Sequence, residues 1–231
     1  PPQWSIRCGQ DKIRRQNTIH KKVIRVTLNS VGMVEDAGGT AAIERLAAAI
    51  AECRGCPLWM NTSHAVPGEG NPHASLMFIG EAPGKQEDLT GRPFVGRAGR
   101  LLDDLLAGIG LSRESVFIAN IVKHRPPGNR DPRPEEIRAC SPYLEEQIRI
   151  VGPKVIVTLG RHSSRYVLSR LHVEFDRITE IRGRVYRGVL FGRPVSLVPT
   201  LHPAAALYNP GYRQALEEDF RVIERELAAA D

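Results

Sequence analysis

Three cysteines, a handful of carboxyl and amide groups and one histidine carry most of the chemistry open to this chain. Cys53-x-x-Cys56, with Cys140 further on, is too sparse for a disulfide framework. In a reducing compartment such a thiol pair points to metal or redox chemistry. The stretch Ile79 to Gly99, IGEAPGKQEDLTGRPFVGRAG, packs two Pro, five Gly, two Glu, one Asp and one Phe into a single loop. Glycine lets a foreign backbone or ligand approach closely and proline stiffens the loop, while the acids and the ring supply chemistry. Glu81, Asn120, the Leu159-Gly160 pair and His202 each close an apolar run. If those runs are parallel strands, their carboxyl ends gather all of these residues in one crevice, which is where open α/β sheets bind ligands.

The elements needed to do this are legible as periodicity. Apolar runs alternate with helical patterns: SLMFIG, the run from Arg100 to Gly110, SVFIANIV, the segment Pro134 to Val151, KVIVTLG, and the stretch near Arg161 to Leu171. That alternation predicts βαβ units and a mainly parallel sheet in one α/β domain over residues 40–231. Thr40 is expected to cap a helix running to about Cys53, with Ile43, Leu46, Ala47 and Ile50 on one stripe. VYRGVLFGRPVSLVPT reads as a hairpin turning at Phe191 and Gly192, and a terminal helix over Tyr212 to Ala229 turns Leu216, Phe220, Ile223 and Leu227 to the core.

GEAPG from Gly80, then ED and GRPFVGRAG, then IANIVKHRPPGNRDPRPEEIRAC from Ile118 and PTLHPAAAL from Pro199 stand in that order. They closely resemble the signatures of the family 4 uracil-DNA glycosylases, the iron–sulfur class of bacteria and archaea, and the resemblance covers roughly Ala51 to Ala229. It implies a three-layer α/β/α domain and a monofunctional enzyme of base excision repair. Such an enzyme flips uracil out of DNA and hydrolyses its N-glycosidic bond, leaving an abasic site. By the resemblance, Gly80, Ala82, Glu87, Phe94, Asn120 and His202 form the uracil pocket, and Glu81, Asn129 and His202 are catalytic. Phe94 is the ring on which uracil stacks. Asn120 pairs an acceptor and a donor with uracil N3–H and O4. His202 is a donor to O2 as the leaving group gains charge. Glu81 and Asn129 help the water, because Ala82 stands where family 1 enzymes carry the Asp of a GQDPYH-like signature, and Glu87 fills the place that excludes thymine's 5-methyl. Phosphate contacts are expected from Arg97, Lys123, Arg125, Arg130 and Arg161, with backbone N–H groups of the Gly-rich loops.

Cys53, Cys56 and Cys140 match three of the four cluster ligands of that family, and His124 stands where the fourth, a Cys in IVKxRPP, is expected. Imidazole replaces thiolate on iron in Rieske centres, so the resemblance implies a structural [4Fe–4S] cluster held by three Cys and His124. Zinc in its place, or Cys8 as fourth ligand, are the alternatives. UdgX-type relatives also carry VKH here, but they capture DNA covalently through a KRRIH loop that this chain lacks, so turnover is expected.

At 231 residues, 42% of them apolar, the chain suits one well-packed domain. No apolar run approaches a membrane span and no leader is visible, so a cytoplasmic monomer is the expectation. The net charge of +6 lies in the first 25 residues, which hold seven Lys and Arg against one acid; the remainder is formally neutral. A DNA footprint on the domain must therefore come from local clustering. Residues 1–39 read as a disordered extension. A DNA-tethering arm, a mitochondrial-type presequence and a segment preceding a start at Met33 are its three possible origins. The competing functions are a non-catalytic or covalently capturing uracil-DNA-binding protein, and a redox protein using the CxxC pair.

Overall fold

The computed structural model describes residues 38–230; the expectations for residues 1–37, Cys8 and Met33 among them, lie outside the described residues. Helix α1 (Gly39–Ala51) starts from Gly38, whose carbonyl accepts from Ala41 N–H at 2.9 Å. Thr40 therefore sits in the first turn and does not cap it. The helix ends before Cys53, and both cysteines lie in the loop that leads into a 3₁₀ turn, Pro57–Asn61.

The chain continues through β1 (Glu69–Gly70), β2 (Leu76–Gly80), the short α2 (Lys85–Thr90), α3 (Arg97–Ala107) and β3 (Phe117–Asn120). A 3₁₀ turn at Pro127–Asn129 precedes α4 (Pro134–Val151), β4 (Val155–Leu159) and α5 (Arg161–Ser169). The remainder is α6 (Ile178–Ile181), the hairpin β5 (Tyr186–Leu190) and β6 (Arg193–Thr200), α7 (Pro203–Ala206) and α8 (Gly211–Ala230). The start and stop of α4 are written in its sequence. Pro134 takes the first helical position, Glu136 reaches back to Arg133 N–H at 2.7 Å, and Gly152 ends the helix in a left-handed conformation.

The six strands form one sheet in the order β1-β3-β2-β4-β6-β5. The inner four are parallel and the two edge strands antiparallel. Side chains alternate between the faces of each strand. Leu76 and Phe78 pack with α3 and α8, through Leu102, Leu106, Leu216, Phe220 and Ile223. Met77 and Ile79 face α4 and α5, through Leu144, Ile148, Val167 and Leu168. The result is a three-layer α/β/α domain. From β2 the chain crosses to β3 on one side and then to β4 on the other, so the strand order reverses at the carboxyl end of β2. Register aligns that edge: Gly80 lies opposite Asn120, and Leu159 opposite Thr200. Among the described residues no helix is long and apolar enough to cross a membrane.

Candidate active site

A cavity of about 410 Å³ opens at this edge. Glu81 enters it directly from β2, Asn120 as the last residue of β3, and His202 as the N-cap of α7 just beyond β6. Phe94 comes from the loop between α2 and α3, and Asn129 from the turn before α4. Ala82 and Glu87 also line it. The Leu159-Gly160 pair does not, contrary to the sequence reading. Gly160 instead backs His202: at φ +97° a Cβ would sit 3.1 Å from that of His202. Its N–H also ties β4 to Thr200 O at 2.9 Å.

Phe94 is held in a left-handed conformation, φ 51°, which a bulky residue adopts only when its surroundings enforce it. Several contacts do so. Arg113 donates to Pro93 O at 2.5 Å and Phe94 O at 3.0 Å, while pairing with Glu69 and Asp103. Gly99 lies so close that a Cβ there would be 1.7 Å from Phe94 O. The ring packs against the α3–α8 core and also faces the cavity, with its centroid 5.7 Å from that of His202. Gly80 makes room for both Phe94 and Asn120, since a Cβ there would meet Asn120 Oδ1 at 2.2 Å and Phe94 Cζ at 2.7 Å. Glu87 spends its carboxylate on the loop itself, accepting from Gly84, Val95 and Gly96 N–H at 3.1, 2.9 and 3.0 Å. It shapes the wall as a loop tie. Arg113, half-buried and far off in sequence, was not legible as a site residue; only its tertiary contacts give it that role.

Two polar atoms in this edge are buried without a protein partner, Asn120 Oδ1 and Glu81 Oε1. An orphaned buried acceptor is costly unless a ligand or water meets it. Burial, then the nearby Asp131 charge, pushes the Glu81 carboxyl up to about 7, against the pull of Arg161. His202 is driven down to about 4, mainly by burial. It is neutral at physiological pH, and its Nδ1 accepts from Ala204 N–H at 3.1 Å. The remaining ring proton therefore sits on Nε2 as a donor. Asn129, itself at φ 54°, is oriented by Arg125, whose Nε donates to Asn129 Oδ1 at 2.6 Å.

Of the five basic residues expected on DNA, Arg97 and Arg161 are exposed at the first positions of α3 and α5. Arg125 is partly exposed, and Arg130 lines the cavity while forming a two-pronged pair with Glu136 at 2.6 and 2.9 Å. Lys123 corrects the sequence reading. It is fully buried, and its Nζ donates to Asn120 O at 2.7 Å and to Gln147 Oε1 at 2.6 Å. Burial lowers its ammonium to about 8. Its work is to brace the end of β3, away from any phosphate.

Cys53, Cys56, His124 and Cys140 line a second, small cavity beside α4. Each sulfur receives a backbone N–H: Gly55 to Cys53 at 3.4 Å, Lys123 to Cys140 at 3.2 Å, and Leu58 to Cys56. Such bonds suit thiolates. As free thiols Cys56 and Cys140 are raised by burial, Cys140 to about 11, so ionisation calls for a metal to displace the proton. Burial lowers His124 and keeps its ring neutral, the form that ligates. The donor set therefore fits a thiophilic metal centre.

The model of the uracil DNA glycosylase superfamily matches residues 67–228. The chain is 54% identical over 187 residues to the type-4 uracil-DNA glycosylase of Sulfurisphaera tokodaii, covering 80% of this chain and 84% of that protein. It is 50% identical over 188 residues to the type-4 uracil-DNA glycosylase of Saccharolobus solfataricus, covering 81% and 87%. To that of Archaeoglobus fulgidus it is 47% identical over 174 residues, covering 75% and 87%. The chain that builds this crevice at the strand-order reversal, with its forced Phe94, orphaned Asn120 acceptor and neutral His202, is matched over three quarters or more of its length by these three type-4 enzymes, and it belongs to the uracil-DNA glycosylase superfamily and, within it, to the type-4 family.

Proposed function

We propose that the cavity receives a uracil flipped out of DNA and hydrolyses its N-glycosidic bond, leaving an abasic site. The observation that carries this reading is Asn120, whose buried Oδ1 has no protein partner. Uracil supplies the missing donor at N3–H, and the amide nitrogen in turn donates to O4; cytosine offers the reversed pattern. Phe94 provides the stacking face, a contact typically worth ~1–3 kcal/mol per base. Nε2–H of His202 is aimed to stabilise O2 as the leaving uracil takes the bonding electrons. Because the ring is neutral well above its pKa of about 4, it serves as a donor of constant strength across physiological pH. Glu81 as a carboxylate, assisted by Asn129, receives the proton of the water that attacks C1′. Gly80, Ala82 and Glu87 shape the wall against bulkier bases, Glu87 through the loop it ties.

Arg97, Arg125 and Arg161, with Arg130 at the rim, are the phosphate contacts of this reading; they steer DNA without reading sequence. Cys53, Cys56, Cys140 and His124 would hold the [4Fe–4S] cluster, which when bound supplies a structural tie between the loop after α1 and α4 and no redox step. The deciding experiment is incubation with uracil-containing oligonucleotides, single- and double-stranded, followed by alkaline cleavage of abasic sites. Strand scission dependent on both uracil and protein is expected. Intact strands that carry covalently attached protein would instead mean capture, and intact free strands would mean that the cavity only binds.

A further inference from the structure

Asp219 is a buried carboxyl group that base reading and bond cleavage leave unused. It lies within α8 and is only 2% exposed. A buried charge is costly unless it is paired and hydrogen-bonded, and here both oxygens are engaged. Arg182 Nε donates to Oδ2 at 3.1 Å and Arg182 Nη2 lies 2.9 Å from Oδ1, while Thr200 Oγ1 donates to Oδ2 at 2.5 Å. Gly183, at φ +68°, makes room, since a Cβ there would stand 2.3 Å from Asp219 Oδ1. Its own N–H donates to Pro199 O at 2.8 Å, so the cluster grips the end of β6 from two sides. Thr200 is the last residue of that strand, two before His202. Its hydroxyl is held by Asp219, and its carbonyl by the N–H of Gly160, the residue that backs the His202 side chain. The bond from Ala204 N–H to His202 Nδ1 lies inside α7 and moves with it. It fixes the tautomer, not where the ring stands. A helix of four residues takes its place from the strand that feeds it.

We propose that Asp219, acting through the Thr200 hydroxyl, is the positioning residue of His202: it sets the end of β6 so that Nε2–H meets uracil O2 as the base departs. The proposal rests on the glycosylase reading above and deepens it. In that step the C1′–N1 bond breaks, its electron pair leaves with uracil, and the charge spreads to O2. A donor at O2 therefore acts on the departing base more than on the bound one. If the end of β6 is loosened, Nε2–H is displaced and that stabilisation is lost, while Asn120 and Phe94 still hold the base. The resulting defect depends on the leaving group. A fault spread over the whole fold would not.

The test is single-turnover release of uracil and of 5-fluorouracil from matched oligonucleotides by the full-length protein at saturating enzyme. Fluorine withdraws electrons and stabilises the departing anion, so 5-fluorouracil depends less on the donor at O2. Thr200→Val keeps the shape and removes the hydroxyl; it is expected to slow uracil about tenfold and 5-fluorouracil only about threefold. Thr200→Ser keeps the hydroxyl and should restore both rates. Added to His202→Ala, Thr200→Val should cost nothing further, because no donor is left to misplace. Melting curves identify any variant that is not folded, and Thr200→Ala replaces Thr200→Val if a methyl against the Asp219 carboxylate prevents folding. Equal losses on the two bases, an undiminished loss in the His202→Ala background, or native rates in a folded Thr200→Val protein would overturn the positioning role. A native chain that releases neither base would overturn the glycosylase reading itself, and the positioning role with it.

Discussion

The proposed reading of the base by the Asn120 amide, whose Oδ1 is buried without a protein partner, is tested by a carboxylate of the same shape. Asn120→Asp keeps an acceptor for N3–H but sets oxygen against uracil O4 in a desolvated pocket, a mismatch that costs ~1–3 kcal/mol or more. At ~1.4 kcal/mol per decade the expected result is at least a tenfold slower single-turnover release of uracil, with discrimination against cytosine narrowed. Undiminished activity and discrimination would show that Asn120 does not read the base. Glu81 carries a second prediction, in stability. Its folded carboxyl stands at about 7, above the ordinary carboxylate value of 4.5, so between those values the unfolded chain loses a proton that the fold retains. Stability therefore falls as pH rises through that window. Glu81→Gln should remove this slope and melt higher than the native chain at pH 8 but not at pH 4, as differential scanning fluorimetry at the two values would register.

The element that most constrains the pocket is the loop between α2 and α3. Glu87 and Arg113 clasp it from two sides, and Gly99 at the start of α3 lets it close on itself. Gly99→Ala would put a methyl 1.7 Å from Phe94 O, and backbone on both sides leaves little room to yield. Release of Phe94 from its left-handed conformation should follow. The expected outcome is at least a tenfold loss of uracil excision, with iron content unchanged because Gly99 lies on the opposite face of the sheet from the thiols. Native activity in G99A would mean that the loop tolerates a different Phe94 backbone. The helices and strands around this loop were legible because their periods and punctuation agree: Pro134 and Gly152 bound α4, and the alternation in SLMFIG feeds both cores. The clasp was not, because Arg113 and Phe94 meet only in three dimensions.

For the molecule as a whole, the thiol cavity and the base cavity sit at the two ends of one strand-end segment. Asn120 lines the base cavity, His124 lines the thiol cavity, and Lys123 between them bonds Asn120 O through Nζ and Cys140 Sγ through its backbone N–H. Protein purified without oxygen should be brown and contain iron and acid-labile sulfide. His124→Cys should keep both and His124→Ala should lower them; one zinc per chain without sulfide would refute the cluster. Removing residues 1–37 should leave the melting temperature and low-salt excision intact, because the residues proposed to bind and release uracil lie from Gly80 onward, and should alter only salt-sensitive affinity. A truncated chain that is insoluble or inactive at low salt would refute the reading of that segment as an appendage. The sequence alone determined the order of the longer strands and helices, though not the short β1, α2, α6 and α7, the residues that end the strands and the family signatures, because each is a local pattern of period, punctuation or spacing. Register, burial and partner choice belonged to the tertiary structure. They turned Lys123 inward, made Glu87 a loop tie, moved the Leu159-Gly160 pair behind His202, and joined Asp219 to Thr200, since a side chain's neighbours across a sheet edge are set by packing and not by its place in the chain.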